Sequence, residues 1–236
     1  MLNKKKHQLI MGKILKDIYA DASIASLLGF KGGTCAYFFY DLPRFSVDLD
    51  FDMLSGKKME QDEVLEKIVK IMEKYGVVKD KHIKHFTIFA LLSYGETDFN
   101  IKIEINTRQT IKNIKEEYVL REYLGILMLV ARKEYLFASK ISALTLRKTI
   151  AMRDVYDIYY FSKSSWDIDN EAVKSITGLE TKEQLMNCLV AVESIKSNEI
   201  MIGLGELVDE KEKEWIRRSL KDETIFMLKN YISVLK

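Results

Sequence analysis

One stretch constrains the fold more than any other: F-K-G-G-T-C-A-Y-F-F-Y-D-L-P-R-F-S-V-D-L-D-F, from Phe30 to Phe51. Lys31-Gly32-Gly33-Thr34 reads as a tight turn opening an apolar, helix-like run. Asp41-Leu42-Pro43-Arg44 breaks that run at the chain's one proline. Ser46 to Phe51 then alternates polar and apolar residues, the pattern of a half-buried strand. Successive strand side chains point to opposite faces. Ser46, Asp48 and Asp50, with Asp52 next, are therefore expected on one face, and Val47, Leu49 and Phe51 on the other. Two carboxylates one strand step apart, ~6–7 Å between Cα atoms, reach one divalent cation. Without a cation they repel each other. Gly33 leaves the amides ahead of the helix open to a phosphate, and a helix N-terminus favours an anion.

A phosphate cradle followed by a metal-binding Asp-x-Asp strand is the working pair of a nucleotidyl transferase. The competing reading is a tight turn and an edge strand with solvated acids. The order G-G-T, then R-F-S-V-D-L-D-F, resembles the nucleotidyltransferase-like toxins of the AbiEii/AbiGii type, in the DNA polymerase β superfamily. The resemblance implies an α+β fold: a polymerase β-like mixed sheet flanked by helices, then a C-terminal helical bundle. Two domains are expected, residues 1–131 carrying the transferase-like sheet and residues 132–236 completing the active site.

Composition is compatible with this. The chain has 236 residues, 47% hydrophobic and 31% charged, which suits a folded core and not disorder. The net charge of +2 makes any nucleic-acid surface a local patch. The two cysteines, Cys35 and Cys188, suggest no disulfide framework, and a reducing cytoplasm is the expected setting. Cys35 reads as a small core residue. No segment approaches the ~20 apolar residues of a membrane span, and the basic N-terminus lacks the marks of a signal peptide.

Along the chain, residues 4–28 read as one or two helices with Leu9, Ile10, Ile14, Ile18 and Tyr19 at helical spacing. Residues 60–75 form an amphipathic helix. Strand-like runs follow at 77–84 and 86–94; His82 and His85 straddle them without a third ligand at metal spacing. Residues 98–106, D-F-N-I-K-I-E-I-N, alternate most cleanly, with Ile101, Ile103 and Ile105 inward and Lys102, Glu104 and Asn106 on the other face. That places Glu104 to join Asp48 and Asp50; a solvated Lys102–Glu104 face is the alternative. Residues 117–131 are strand or mixed, with Leu127 to Val130 expected as a buried strand. Helices are expected at 133–147, over A-M-R-D-V-Y-D-I-Y-Y-F, and at 169–177, 180–195, 197–207 and 209–235, with Asn170 and Thr181 as N-caps.

The K…R…R-D-x-x-D series of Lys140, Arg147, Arg153, Asp154 and Asp157 is a second point of resemblance to the toxin family. It implies that Lys140 meets the triphosphate, that Asp154 or Asp157 orients it or another basic group, and that Arg147 and Arg153 are further nucleotide contacts. The alternative is an exposed Arg153–Asp157 pair worth only ~0.3–0.5 kcal/mol. Lys140 is expected to be solvated and to matter little for stability. From the resemblance, Glu104 holds or deprotonates the attacking hydroxyl. Lys31, Gly32, Gly33, Thr34, Arg44 and Ser46 line the nucleotide side, and Asp48, Asp50 and Glu104 hold Mg2+ or Mn2+. An NTP is the implied substrate and an RNA, tRNA in some relatives, the implied acceptor. A cognate antitoxin is the implied functional partner, with direct contact left open. A non-catalytic nucleotide- or protein-binding module, and a small-molecule (antibiotic) nucleotidyltransferase, are the alternatives.

Overall fold

The computed structural model describes residues 3–95 and 100–235. The chain divides into two compact units. One holds the chain up to Asp41 together with Phe45–Arg132; the other holds Leu42–Arg44 and the chain from Lys133 onward. The main break follows Arg132. Leu42–Arg44, expected in the first unit, packs with the second.

The first unit contains, in chain order, α1 (Lys4–Ala20), β1 (Leu28–Lys31), α2 (Gly32–Phe39), β2 (Leu49–Met53), α3 (Glu60–Glu73), β3 (Val77–Lys84), β4 (Thr87–Ser93), β5 (Asn100–Asn106), β6 (Tyr118–Tyr123) and β7 (Ile126–Ala131). The strands form a mixed seven-stranded sheet in the order β3-β4-β5-β2-β1-β7-β6. β2 is parallel to β5 and β1 to β7, while the other neighbours are antiparallel. Parallel neighbours need a crossover; α3 and the β3–β4 hairpin lie in the crossover between β2 and β5. On β4 and β5, Ile88, Ala90, Leu92, Ile101, Ile103 and Ile105 are buried, and α3 packs on β3 and β4. The opposite face of these strands is only half-buried.

Several sequence expectations shift by local physics. α1 is capped by Asn3, whose side chain accepts from the Lys6 amide at 3.0 Å. Its buried stripe is His7, Met11, Ile14, Leu15 and Ile18, whereas Leu9 is exposed. The helix ends at Ala20, and β1 already starts at Leu28. The strand expected from Ser46 pairs only from Leu49. Asp98 and Phe99, at the start of the strand expected at 98–106, lie outside the described residues. Leu127 is exposed, not buried, because β7 forms a hairpin with the edge strand β6 and its side chains alternate in exposure.

The second unit is helical: α4 (Lys133–Leu146), α5 (Met152–Lys163), α6 (Asn170–Thr177), α7 (Thr181–Glu193), α8 (Glu210–Trp215) and α9 (Lys221–Val234). A π-helical turn, Ile216–Leu220, joins the last two. Residues 197–207 form successive turns and not the expected helix. Asp169, not Asn170, caps α6 by accepting from the Ala172 amide at 2.8 Å. Thr181 lies inside α7, its hydroxyl 2.6 Å from Asn170 Oδ1. Among the described residues no helix is long and apolar enough to cross a membrane.

Candidate active site

The carboxylate stretch lies at the sheet's centre. β2 sits between β5 and β1, and its register sets Asp50 opposite Glu104 and Asp52 opposite Asn106. On its other edge Lys31 lies opposite Asp50. Directly paired residues share a face, so Asp50 and Glu104 stand side by side, about one inter-strand spacing of ~5 Å apart.

Asp48 precedes the paired strand and is held by its backbone. The Thr34 hydroxyl, in the first turn of α2, donates to the Asp48 carbonyl. His7 of α1 reaches the preceding carbonyl, with Nε2 2.9 Å from Val47 O. A carbonyl only accepts, so Nε2 carries the proton, and Nδ1 accepts from the Tyr94 hydroxyl at 2.5 Å. Burial pulls the His7 pKa down, against the opposing pull of the Val47 carbonyl and Asp48. Two side chains from two helices thus fix the entry to β2. Thr34, expected at the nucleotide, is fully buried and spends its hydroxyl on this task.

The glycine turn has a steric cause. Gly32 has φ +80°, a left-handed conformation that favours glycine. A Cβ built there would run into the Asp50 carboxylate. Asp50 therefore packs against the start of α2, where the helix dipole favours negative charge.

Lys102, on the same face of β5 as Glu104, stands among these acids. Its Nζ is 3.3 Å from Asp48 Oδ2 and 3.3 Å from Glu104 Oε2. Burial works against its charge, but Asp48, Glu104 and Asp50 outweigh that and hold its pKa up. The Asp48 and Glu104 side chains are 19% and 41% exposed, so solvent reaches both.

Asp52 is different. It is 2% exposed and receives three donors: Lys31 Nζ at 2.6 Å, Asn106 Nδ2 at 2.7 Å and the Tyr118 hydroxyl at 2.7 Å. The Tyr118 ring lies across Gly29, where any Cβ would collide with it. Asp52 and these donors form a network one row along the same face from Asp50 and Glu104. Lys31, expected at the nucleotide, is spent on Asp52 here. Ser46 is buried at the mouth of the same stretch, and Gly33 is buried inside α2.

In the second unit, Arg44 is 1% exposed and grips Asp157 with two parallel bonds, Nε–Oδ1 2.6 Å and Nη2–Oδ2 2.7 Å. Lys140 lies 2.7 Å from Asp157 and 2.8 Å from Asp154, and Arg147 pairs with Asp154. Both carboxylates are fully buried. Burial alone would raise the Asp154 pKa, yet Lys140, Arg147 and the nearby Arg153 hold it below the ordinary value. Burial likewise opposes the Lys140 charge, and Asp154 and Asp157 raise its pKa regardless. The expectation of a solvated Lys140 is corrected: its side chain is 13% exposed and doubly paired. The structure thus gathers Asp48, Asp50 and Glu104 in one unit and Arg44, Lys140, Arg147, Asp154 and Asp157 in the other.

Sequence reading passed over His7, Asp52 and Tyr118 as site elements. Asp52 had a signal, its parity with Asp48 and Asp50. His7 and Tyr118 had none, because their partners lie 40 and 66 residues away.

Among the described residues no three His, Cys, Asp or Glu side chains are gathered closely enough to hold a metal ion unaided. The donor set nevertheless suits Mg2+ or Mn2+, which takes one or two carboxylates and completes its shell with water and phosphate. Lys102 between Asp48 and Glu104 marks a place where positive charge is favoured.

A search of curated protein sequences finds no match. Among solved structures, a putative nucleotidyltransferase from H. pylori aligns with TM-score 0.61 and 19% identity, covering 99% of this chain and 96% of that one. JHP933 from Helicobacter pylori aligns with TM-score 0.60 and 19% identity, over 99% and 93%. MenT4, a nucleotidyltransferase toxin from Mycobacterium tuberculosis, aligns with TM-score 0.58 and 14% identity, over 99% and 85%. These likenesses establish the fold. A family model, nucleotidyl transferase AbiEii toxin, type IV TA system, matches residues 13–222. With most of its length matched by that model, the chain belongs to the AbiEii family of nucleotidyltransferase toxins.

Proposed function

We propose that this nucleotidyltransferase is metal-dependent and transfers NMP from an NTP to an RNA, with tRNA the first acceptor to test. The observation that carries the reading is the solvent-reached group of Asp48, Asp50 and Glu104 beside the glycine-opened start of α2. Several acids facing a triphosphate are useful only if positive charge joins them.

Asp48 and Asp50, with Glu104 alongside, would hold Mg2+ or Mn2+. A bound divalent ion neutralises charge on the triphosphate and on the departing pyrophosphate. The amides at the start of α2 face the phosphates. In the transfer, the acceptor hydroxyl oxygen bonds to the α-phosphorus, the bond to the β-phosphate oxygen breaks, and pyrophosphate leaves with that electron pair. Glu104, beside Asp50 in the register, would take the hydroxyl proton. In the helical unit, Arg44, Lys140 and Arg147 against Asp154 and Asp157 leave one positive charge in excess, which supports Lys140 and Arg147 as phosphate-binding residues. A cognate antitoxin is the functional partner.

The test is incubation of the protein with labelled NTPs, Mg2+ and total RNA, beside Asp48→Asn. Label in RNA from the parent alone supports the reading. Pyrophosphate release with label on a small molecule, and none on RNA, transfers the assignment to a small-molecule enzyme. NTP binding by the parent that is equal with Mg2+ and with EDTA argues against the metal.

A further inference from the structure

The face that carries the acids continues past them. The register pairs Asp50 with Glu104, Glu104 with Phe89, and Phe89 with His82, so one row of side chains crosses β2, β5, β4 and β3 on a single face. The next row runs Asp52, Asn106, Thr87, Lys84. On β4 this face is the half-buried one, whereas Ile88, Ala90 and Leu92 are buried on the other.

The row ends in an aromatic stack. The His82 and Phe89 rings lie 4.8 Å apart and nearly parallel, at 17°. The His82 side chain remains 45% exposed and carries Asp80 at 3.3 Å on one nitrogen. Beyond it the β3–β4 turn presents Phe86, 53% exposed, with the Arg108 guanidinium 5.1 Å over its ring. The Phe86 carbonyl accepts from the Thr107 amide at 2.8 Å, so the turn is tied to the end of β5. Lys84 is exposed on the same face, and Lys79 and Lys81 are exposed along the strand. Only Asp80 is acidic within β3.

Aromatic faces interleaved with cations along a sheet are what an unstacked, single-stranded nucleic acid requires: bases stack on rings, and phosphates meet lysine and arginine. Neighbouring strands are ~5 Å apart, so Phe89 lies one step and His82 about 10 Å from the Glu104 strand. That is within reach of the residue next to a reacting end.

We propose that the β3–β4 hairpin is the acceptor platform of the transferase site. A base near the end of a single-stranded RNA stacks on the His82–Phe89 pair, Lys84 and Arg108 take its phosphates, and the terminal hydroxyl is thereby delivered to Glu104. This rests on the RNA-acceptor reading above.

The test uses the full chain carrying Asp48→Asn, so that turnover does not intrude, with a fluorescent single-stranded RNA and the duplex of the same sequence. Anisotropy should show the single strand preferred. His82→Ala with Phe89→Leu should weaken it by about tenfold, the scale of losing one stacked base, while Mg2+–NTP affinity stays at the value of the Asp48→Asn chain. Lys84→Ala and Arg108→Ala should each reduce the log–log salt slope by about 0.7. His82→Ala and Lys84→Ala alter exposed residues and keep the test open if Phe89→Leu fails to fold. Equal binding of duplex, or unchanged affinity in the variants, overturns the platform. In otherwise unmodified protein, RNA labelled with unchanged KM after His82→Ala with Phe89→Leu overturns the platform alone. No RNA labelling by the parent overturns the acceptor reading with it.

Discussion

The two charge clusters of this chain use the same residue types for opposite ends. In the sheet, Asp48, Asp50 and Glu104 surround Lys102, and the acids are solvent-reached. In the helical unit, Arg44, Lys140 and Arg147 surround Asp154 and Asp157, whose side chains are fully buried. Negative charge in excess and open to water is available to a cation and a substrate. Carboxylates buried and saturated by guanidinium and ammonium groups are committed to the fold. The separation predicts that substitutions in the first cluster change chemistry and spare stability, and that those in the second lower stability.

The largest effect is expected at Asp48. Its side chain is partly solvated, so Asp48→Ala should fold and melt like the parent. Loss of a metal-holding acid should lower NMP transfer about 10^3-fold or more and abolish growth inhibition on expression. Undiminished growth inhibition at equal expression would break the comparison on the catalytic side.

Asp157→Ala should do the converse. It leaves Arg44 and Lys140 facing each other without their shared carboxylate. Breaking a buried pair by removing one partner costs about 3–5 kcal/mol, readable as a lowered urea midpoint. Lys140→Ala should also lower the midpoint, in contrast to the near-neutral outcome expected of a solvated lysine. If either variant unfolds like the parent, the cluster is not committed to the fold.

Both clusters differ in how far they could be read from sequence. Asp48, Asp50 and Glu104 were legible because strand alternation is local, with a period of two. The turn at Gly32-Gly33 was legible as a turn, but not its cause, which is the Asp50 carboxylate packed against it. Lys140, Asp154 and Asp157 were legible as a set only through family resemblance; their burial was not, because it depends on Arg44, which lies 113 residues from Asp157. His7 and Tyr118 were invisible for the same reason. Helix caps were misread where adjacent polar residues compete for one local role, as Asp169 and Asn170 do; at 197–207 the expected helix gives way to turns that include Gly203 in the left-handed region.

A smaller effect sharpens the comparison inside the sheet. Lys102 sits between Asp48 and Glu104 and supplies charge where a divalent ion would. Lys102→Met should let Mn2+ bind without nucleotide about tenfold more tightly than in the parent. A unit charge ~4 Å away at an effective dielectric of 20 is worth about 4 kcal/mol before solvent screening, and the acids are partly exposed, so most of that is lost. Mn2+ titration followed by electron paramagnetic resonance measures it. A fall in affinity would mean that Lys102 holds the acids in place more than it competes with the metal.

The smallest effect is the pH dependence of the buried cluster. Asp154 titrates below its ordinary 3.8 in the folded chain because Lys140 and Arg147 outweigh its burial. A carboxyl with a depressed folded pKa binds more protons when unfolded. It therefore contributes stability above about pH 4, lost as pH falls through the lower folded value. Lys140, raised above 10.5, contributes below that pH and loses its contribution as pH rises through the folded value. The cluster should thus be pH-insensitive between roughly 5 and 10, with an acid limb set in part by Asp154. One group adds at most about 1.4 kcal/mol of stability per pH unit to that limb. Urea unfolding from pH 5 down to 2.5 should give Asp154→Asn a lower plateau, because Lys140 and Arg147 lose their anion, and a shallower fall below pH 4. Other depressed carboxyls, such as Asp21 and Glu60, titrate alike in both proteins and cancel in the difference. Parallel acid limbs would show that Asp154 binds the same number of protons folded and unfolded, and that its burial is not offset by its partners.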